Sequence, residues 1–191
     1  RLVQIEIVAK TMPHPDGDYR VVVVRDITER KRAQEQAAFL SLHDTLTQLP
    51  NRLHLMRELP QLLASAQHLR TRAAVLFIDM DHFRTVNESL GHGAGDQLLR
   101  EVARRLQGGA GRDGLESSFI ARVGGDQFVV VRADIGSRAA AATLADELLE
   151  RVRAVYAING TPISMSPSIG ISMFPEDGYG ADELLRRAHA A

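Results

Sequence analysis

Apolar and polar positions alternate from Leu2 to Val8 and again from Tyr19 to Val24, on either side of a Pro-His-Pro-Asp-Gly-Asp turn. Period-two runs bounded by turn residues predict a β-hairpin within residues 1–28. From Asp26 the pattern becomes polar and predicts a charged helix over 29–42, with Asp26 or Thr28 as its cap. Ala33, Ala37 and Leu40 make only a thin apolar seam, so a solvated helix and a dimerising coiled coil both stay open. Pro50 excludes helical geometry at Leu49, and Asn51 is placed to cap a helix over 52–69. Pro60 inside that helix predicts a kink or a split.

Ala73 to Ile78 is a continuous apolar run that closes on Asp79-Met80-Asp81, the pattern of a central strand covered on both faces. A short helix or turn over His82–Leu90 and a glycine-rich break over Gly91–Asp96 lead into an amphipathic helix. Leu98, Leu99, Val102, Ala103 and Leu106 share one face of it. Gly108 to Ser118 reads as a loop. Phe119, Ile120 and Ala121, then Phe128 to Val131, flank a Gly-Gly pair and predict a tight hairpin. An alanine-rich helix over 138–154, strands within Ile163–Phe174 around Pro162 and Pro167, and a last helix over 182–191 complete the chain. This order predicts an α+β fold, a mixed sheet flanked by helices in a ferredoxin-like palm.

With 191 residues, the chain is long enough for one full domain and an appendage. Its 45% hydrophobic and 25% charged content is ordinary for a globular protein. A net charge of −1 supplies no basic field for nucleic acid or an anionic membrane surface. Without cysteine, thiolate chemistry, disulfides and Cys-based zinc sites are excluded. No apolar run reaches the length of a membrane span and no signal-peptide pattern opens the chain, so a cytoplasmic location without direct membrane contact is expected.

The chemistry concentrates at two acids. Asp79 ends a buried strand, where open sheets present ligand-binding groups. Asp126 follows Gly124-Gly125 at a hairpin tip, where missing Cβ atoms leave bare backbone for a ligand. If the two elements are neighbours, the carboxylates meet with Gln127 beside them. Hard oxygens at a strand end suit Mg²⁺, which keeps waters and shares substrate phosphates. Backbone amides at the start of the following helix can hold phosphate oxygens. Asn87 and Asp96 add an amide and a carboxylate that match the donor and acceptor edge of guanine.

Several motifs in order resemble the GGDEF domain of the diguanylate cyclase family, from about Ser41 to the end. They are Asp44-Thr45-Leu46-Thr47-Gln48-Leu49-Pro50-Asn51-Arg52, Asp79-Met80-Asp81-His82-Phe83-Arg84, Asn87, Gly91-His92-Gly93-Ala94-Gly95-Asp96, Arg122-Val123-Gly124-Gly125-Asp126-Gln127-Phe128 and Ser168-Ile169-Gly170-Ile171-Ser172. The wording around Val86–His92 and Ser172–Gly178 is similar to tandem GGDEF–EAL signalling proteins. Arg25 to Ala33 after a hairpin resembles the exit of a PAS sensor domain. The implied organisation is the last PAS strands in 1–28, a signalling helix in 29–42 and a GGDEF domain in 43–191, with an EAL domain as a possible fusion partner.

The resemblance implies a five-stranded palm of the class III cyclase type. It implies condensation of two GTP to cyclic di-GMP and pyrophosphate by a homodimer with opposed sites and Mg²⁺ or Mn²⁺. By the same likeness, Asp79 and the Met80 carbonyl bind metal, and Asp126 binds metal and assists the nucleophile with position 127. Gly124 and Gly125 let GTP lie against the hairpin, Asn87 and Asp96 read guanine, and His82 and Phe83 offer amides to the phosphates. Bland roles stand beside these. Asp81 either joins the site or caps the next helix, His92 serves its glycine turn, Arg122 pairs with an acid, and Asp44 and Arg52 lock the domain entrance.

The chain departs from the family pattern in three places. Gln127 replaces the signature glutamate, keeping its shape but losing the charge and the basic oxygen. Leu115-Glu116-Ser117-Ser118 stands where the family carries the Arg-x-x-Asp of product inhibition, so feedback binding is not expected. The chain ends at Ala191, before the family's Tyr-x-Ala-Lys helix, whose lysine grips terminal phosphates. Three readings follow: a cyclase weakened by Gln127, a GTP-binding module that regulates a fused EAL phosphodiesterase, and a palm that only transmits dimerisation.

Overall fold

A computed structural model describes residues 3–13, 19–108 and 118–191. The chain divides into two compact units, Arg1–Ser41 and Leu42–Ala191. In the first, β1 (Ile5–Met12) and β2 (Tyr19–Asp26) pair antiparallel from Ile5↔Asp26 to Met12↔Tyr19. Helix α1 (Thr28–Leu42) starts one residue before the expected boundary. The Asp26 carboxylate accepts from the Thr28 amide at 2.8 Å, which satisfies one orphan donor of the first turn. Thr28 in turn accepts from the Gln4 amide at 2.9 Å, tying the helix start to the hairpin.

The second unit is an α+β palm, as the element order predicts. Its sheet has four strands in the order β4-β5-β3-β8, with β3 (Ala73–Met80), β4 (Ser118–Gly124), β5 (Gln127–Ala133) and β8 (Pro167–Phe174). Every pairing in it is antiparallel. The expected mixed, five-stranded sheet is therefore corrected to a four-stranded antiparallel one among the described residues. Two further strands, β6 (Tyr156–Ile158) and β7 (Thr161–Ile163), pair only with each other around Asn159 and Gly160, both at positive φ.

Alternation along β3 sorts the core into two layers. Leu76 and Ile78, with Phe128 and Val130, face α4 (His92–Gln107) and α5 (Arg138–Arg153), whose Leu98, Leu99, Val102, Leu106, Leu148 and Val152 are buried. Val75 and Phe77, with Val129 and Val131, face α2 (Arg52–Leu69) and α6 (Ala181–Ala190). With apolar cover on both sides, β3 needs no alternation of its own.

Helix α2 runs unbroken through Pro60, so the expected split does not occur. Leu55, Leu59, Leu63 and Ala66 are buried along one stripe on both sides of the proline and hold the two halves on the sheet. Its cap is the expected one: Asn51 Oδ1 accepts from the His54 amide at 3.0 Å. α3 (Phe83–Leu90) precedes α4, and α4 begins at His92, inside the stretch expected to be a glycine break. α5 ends at Arg153 and α6 spans Ala181–Ala190, each within a residue of expectation. No helix of the described residues is long and apolar enough to cross a membrane.

Candidate functional site

The antiparallel register carries the two acid-bearing elements to one end of the sheet. Asp79 lies opposite Gln127 of β5 on one side and Ser168 of β8 on the other. β4 and β5 join through Gly125 and Asp126, with a register shift between Arg122 and Gly124. Gly124 (φ 146°) and Gly125 (φ 52°) adopt conformations that side chains disfavour, and neither would bring a Cβ within 4 Å of another group. The glycines are thus required by the backbone, and they leave the turn open on its outer side.

Gln127 Nε2 donates to Asp79 Oδ2 at 2.9 Å. An ionised carboxylate only accepts, so the amide must present its NH₂ edge there. Partial burial pushes the Asp126 carboxyl above its ordinary range, and the nearby Asp79 charge pushes the same way, against its own backbone amide and the Arg122 guanidinium. Asp79 and Asp126 therefore share one electrostatic neighbourhood, and a cation between them would relieve it. Ser168 Oγ donates to Asp81 Oδ1 at 2.8 Å. Asp81 thus turns to β8; the residue at the α3 cap is His82, in the left-handed region (φ 60°).

Among the described residues no group of three His, Cys, Asp or Glu is gathered as a closed metal cage. Two carboxylates and the strand-end carbonyl of Met80, whose side chain is buried, instead suit a hard cation that keeps waters and takes oxygens from a phosphate substrate. The donor set fits a hard divalent cation in that open form.

A second group forms on α3 and α4. A Cβ on Gly95 would lie 2.0 Å from Asn87 Oδ1 and 3.1 Å from the Phe83 ring. Gly95 is the floor on which the Asn87 side chain rests, and Phe83 is buried beneath. Asp96 follows on the exposed side of α4. The Gly91 amide donates to the Asn87 carbonyl at 3.0 Å, closing α3 directly onto α4. Asn87 thus packs against the residue that precedes Asp96, the two standing on consecutive helices rather than on loops. His92 begins α4 and is exposed.

Arg122 anchors the turn from behind. Its Nη2 and Nε donate to the Gly125 carbonyl at 2.6 and 3.1 Å, and its Nη1 to Asp44 Oδ1 at 2.8 Å. Asp44 also accepts from the Thr47 amide and hydroxyl at 2.8 and 2.7 Å. Burial works to raise the Asp44 carboxyl, but the Thr47 and Arg122 hydrogen bonds outweigh it and hold it below its ordinary value. The Arg122 amide donates to the Pro50 carbonyl at 2.9 Å. Asp44 is the structural lock expected at the entrance. Arg52 lines a cavity of about 250 Å³ with Gln127, Phe77, Asp182, Arg186 and His189. Arg186 and His189 carry no sequence signal for this site, and Ser168 stands in the sequence only as part of a motif, without its partner Asp81. Leu115 to Ser117 lie outside the described residues, and Ser118 opens β4.

The family described as Diguanylate cyclase, GGDEF domain matches residues 41–191. The chain is 42% identical over 164 residues to the bifunctional diguanylate cyclase/cyclic di-GMP phosphodiesterase MucR of Pseudomonas aeruginosa, covering 86% of this chain and 23% of that protein. Among solved structures, a sensory box/GGDEF family protein from Caulobacter crescentus is similar with a TM-score of 0.73 and 40% identity, over 78% of this chain and 94% of the other. The coiled coil and GGDEF domain of DgcB from Caulobacter crescentus, solved with c-di-GMP, is similar with a TM-score of 0.74 and 28% identity, covering 85% of each chain. This chain spans about a fifth of the length of the first curated relatives it matches, 21% in one case and 23% in the next.

Proposed function

The chain belongs to the GGDEF domain family of diguanylate cyclases, and from that membership we propose that residues 43–191 bind GTP and join two GTP into cyclic di-GMP with release of pyrophosphate. Two copies face each other, and the 3′-hydroxyl of each nucleotide attacks the α-phosphate of the other. The observation that supports this reading best is the meeting of Asp79, Asp126 and the open Gly124-Gly125 turn at one end of the sheet.

Asn87 and Asp96 orient the guanine, Asn87 fixed in place by its seat on Gly95. The first amides of α3, from His82 and Phe83, lack intrahelical partners and serve the phosphates. Asp79, Asp126 and the Met80 carbonyl would hold a divalent cation, Mg²⁺ or Mn²⁺, which when bound neutralises charge on the phosphates. Asp126 also assists the attacking hydroxyl from beside the cation. Gln127 contributes shape and hydrogen bonding but no charge.

Gln127 also favours a second reading. With the amide on Asp79, GTP binding persists while synthesis is slow, and the domain governs a fused phosphodiesterase through occupancy. In either case the hairpin of residues 1–28 belongs to a PAS sensor, residues 29–42 carry its signal, and the assembly works in the cytoplasm. Incubation with Mg–GTP, with GTP affinity and cyclic di-GMP both measured, separates the readings. Product formation supports the cyclase, tight binding without product leaves the regulatory module, and neither leaves only a structural palm.

A further inference from the structure

The Gln127 amide engages one oxygen of the Asp79 carboxylate, a group proposed above to hold a cation. At 2.9 Å its NH₂ group occupies Oδ2, and a donor cannot share that oxygen with a metal approaching along the same direction. Gln127 is also one wall of the cavity of about 250 Å³ that reaches Phe77, Arg186 and His189. The side chain therefore has both a latched position and a space to leave into. A glutamate at this position could not make the same contact, because two ionised carboxylates repel.

We infer that Gln127 is a displaceable plug on the cation site: its amide stands in for the metal on Asp79 and withdraws into the adjoining cavity when a divalent cation arrives with its nucleotide. The inference rests on the nucleotide site proposed above. A hydrated cation alone must break the amide–carboxylate bond for two acidic ligands. A cation already carried on a triphosphate brings further contacts that offset that loss. The residue thus makes metal loading conditional on nucleotide, which the signature glutamate would not do. It is a residue that positions and selects rather than reacts.

The test measures Mn²⁺ binding by electron paramagnetic resonance, which reads the ion itself and requires no turnover. The whole chain, its Gln127→Ala and Gln127→Glu variants are each titrated with Mn²⁺ alone, then with Mn²⁺ and an α,β-methylene GTP analogue. Without nucleotide, Gln127→Ala is expected to bind Mn²⁺ about tenfold more tightly than the native chain, the scale of one lost hydrogen bond to a charged group. Gln127→Glu is expected to bind more tightly still. With the analogue, the gap between native and Gln127→Ala is expected to narrow. Equal or weaker Mn²⁺ binding by Gln127→Ala overturns the plug and makes the amide oxygen a ligand or a bystander. If the analogue adds no Mn²⁺ uptake to any of the three, the nucleotide site itself fails, and the plug with it. Should Gln127→Ala fold poorly, the side-chain NH₂ resonances of native Gln127 give the same answer, assigned by their loss in Gln127→Glu. They are expected to shift when Mg²⁺ and the analogue are added together, and an unchanged position overturns the inference.

Discussion

Asp44 and Arg122 lie 78 positions apart in sequence and meet through a 2.8 Å hydrogen bond at the back of the signature turn. Arg122 holds the Gly125 carbonyl with the same guanidinium, so one side chain ties the entrance of the domain to the turn that presents Asp126. Both partners are largely shielded, with side-chain exposures of 11% and 24%, so removing one leaves the other sheltered and unpaired, a larger loss than at an exposed ion pair. Asp44→Ala should destabilise the palm by about 2–3 kcal/mol, since it strands Arg122 and the Thr47 donors together. Urea unfolding checks the magnitude. A loss under about 0.5 kcal/mol would mean water replaces the carboxylate freely.

The same pair has a pH signature. The folded Asp44 carboxyl lies below its ordinary value, with Thr47 and Arg122 overcoming the opposing effect of burial. Its contribution is therefore present above the unfolded value of 3.8 and is lost as pH falls through the folded one. Asp177 behaves alike, since the Met173 amide and Arg138 outweigh its burial. Between neutrality and about pH 3 the native chain should lose stability more steeply than Asp44→Asn. The check is the urea midpoint of both proteins across that range, and parallel curves would count against the assignment.

Gly95 and Gly93 lie in the same turn of α4 and should respond oppositely to alanine. At Gly95 the new methyl would lie 2.0 Å from Asn87 Oδ1, whereas at Gly93 it would meet nothing within 4 Å. Gly93→Ala should stabilise α4 by about 0.5–1 kcal/mol and leave nucleotide affinity alone. Gly95→Ala should push Asn87 aside and weaken GTP binding about tenfold, the scale of a displaced hydrogen-bonding group. Calorimetric titration with GTP and with ATP separates lost guanine reading from general weakening, since only the former narrows the difference between them.

How much of this was readable beforehand varies with the range of the interaction responsible. The Ala73–Ile78 run announced a covered strand, and two acids at its end announced a site, because burial and charge are written locally. The start of α4 is hidden in the sequence for a physical reason. Gly95 reads as a helix breaker, yet it is there to admit Asn87 from α3. The short β6–β7 hairpin left no periodic signal, since each strand has three residues. Ser168, Gly170 and Ser172 were visible only as a motif, while their reasons are tertiary. Ser168 bonds Asp81 at 2.8 Å, Gly170 admits the end of α6, and buried Ser172 donates to the Leu184 carbonyl at 2.8 Å.

Gly170 offers the severest of the packing tests. A Cβ there would lie 1.9 Å from the Ala188 carbonyl oxygen, a backbone atom that cannot rotate away. Gly170→Ala must then lift the end of α6 from β8 and separate Phe77 from His189, whose rings stack at 4.4 Å. A loss of about 3 kcal/mol or more is expected, at the upper end of overpacking costs. Thermal unfolding gives the magnitude, and hydrogen exchange should show the loss centred on α6 and β8. Protection lost evenly over the whole palm would point to a different cause.

Gln127→Glu bears on the reaction itself. The native amide leaves the site with two acids, whereas glutamate supplies a third beside Asp79, directly across the ladder. Three carboxylates repel until a cation arrives, so metal dependence should steepen while the metal-loaded site better balances the charge of a transferring phosphate. If the missing carboxylate limits the native rate, Gln127→Glu should raise cyclic di-GMP formation by about 10²-fold or more, within the range one positioned base contributes. GTP affinity should change far less, because Asn87, Asp96 and the helix amides are untouched. Product measured by chromatography at saturating Mg–GTP decides the matter. An unchanged rate with intact GTP binding would move the limiting step away from position 127, to the pairing of two domains or to the grip on the terminal phosphates.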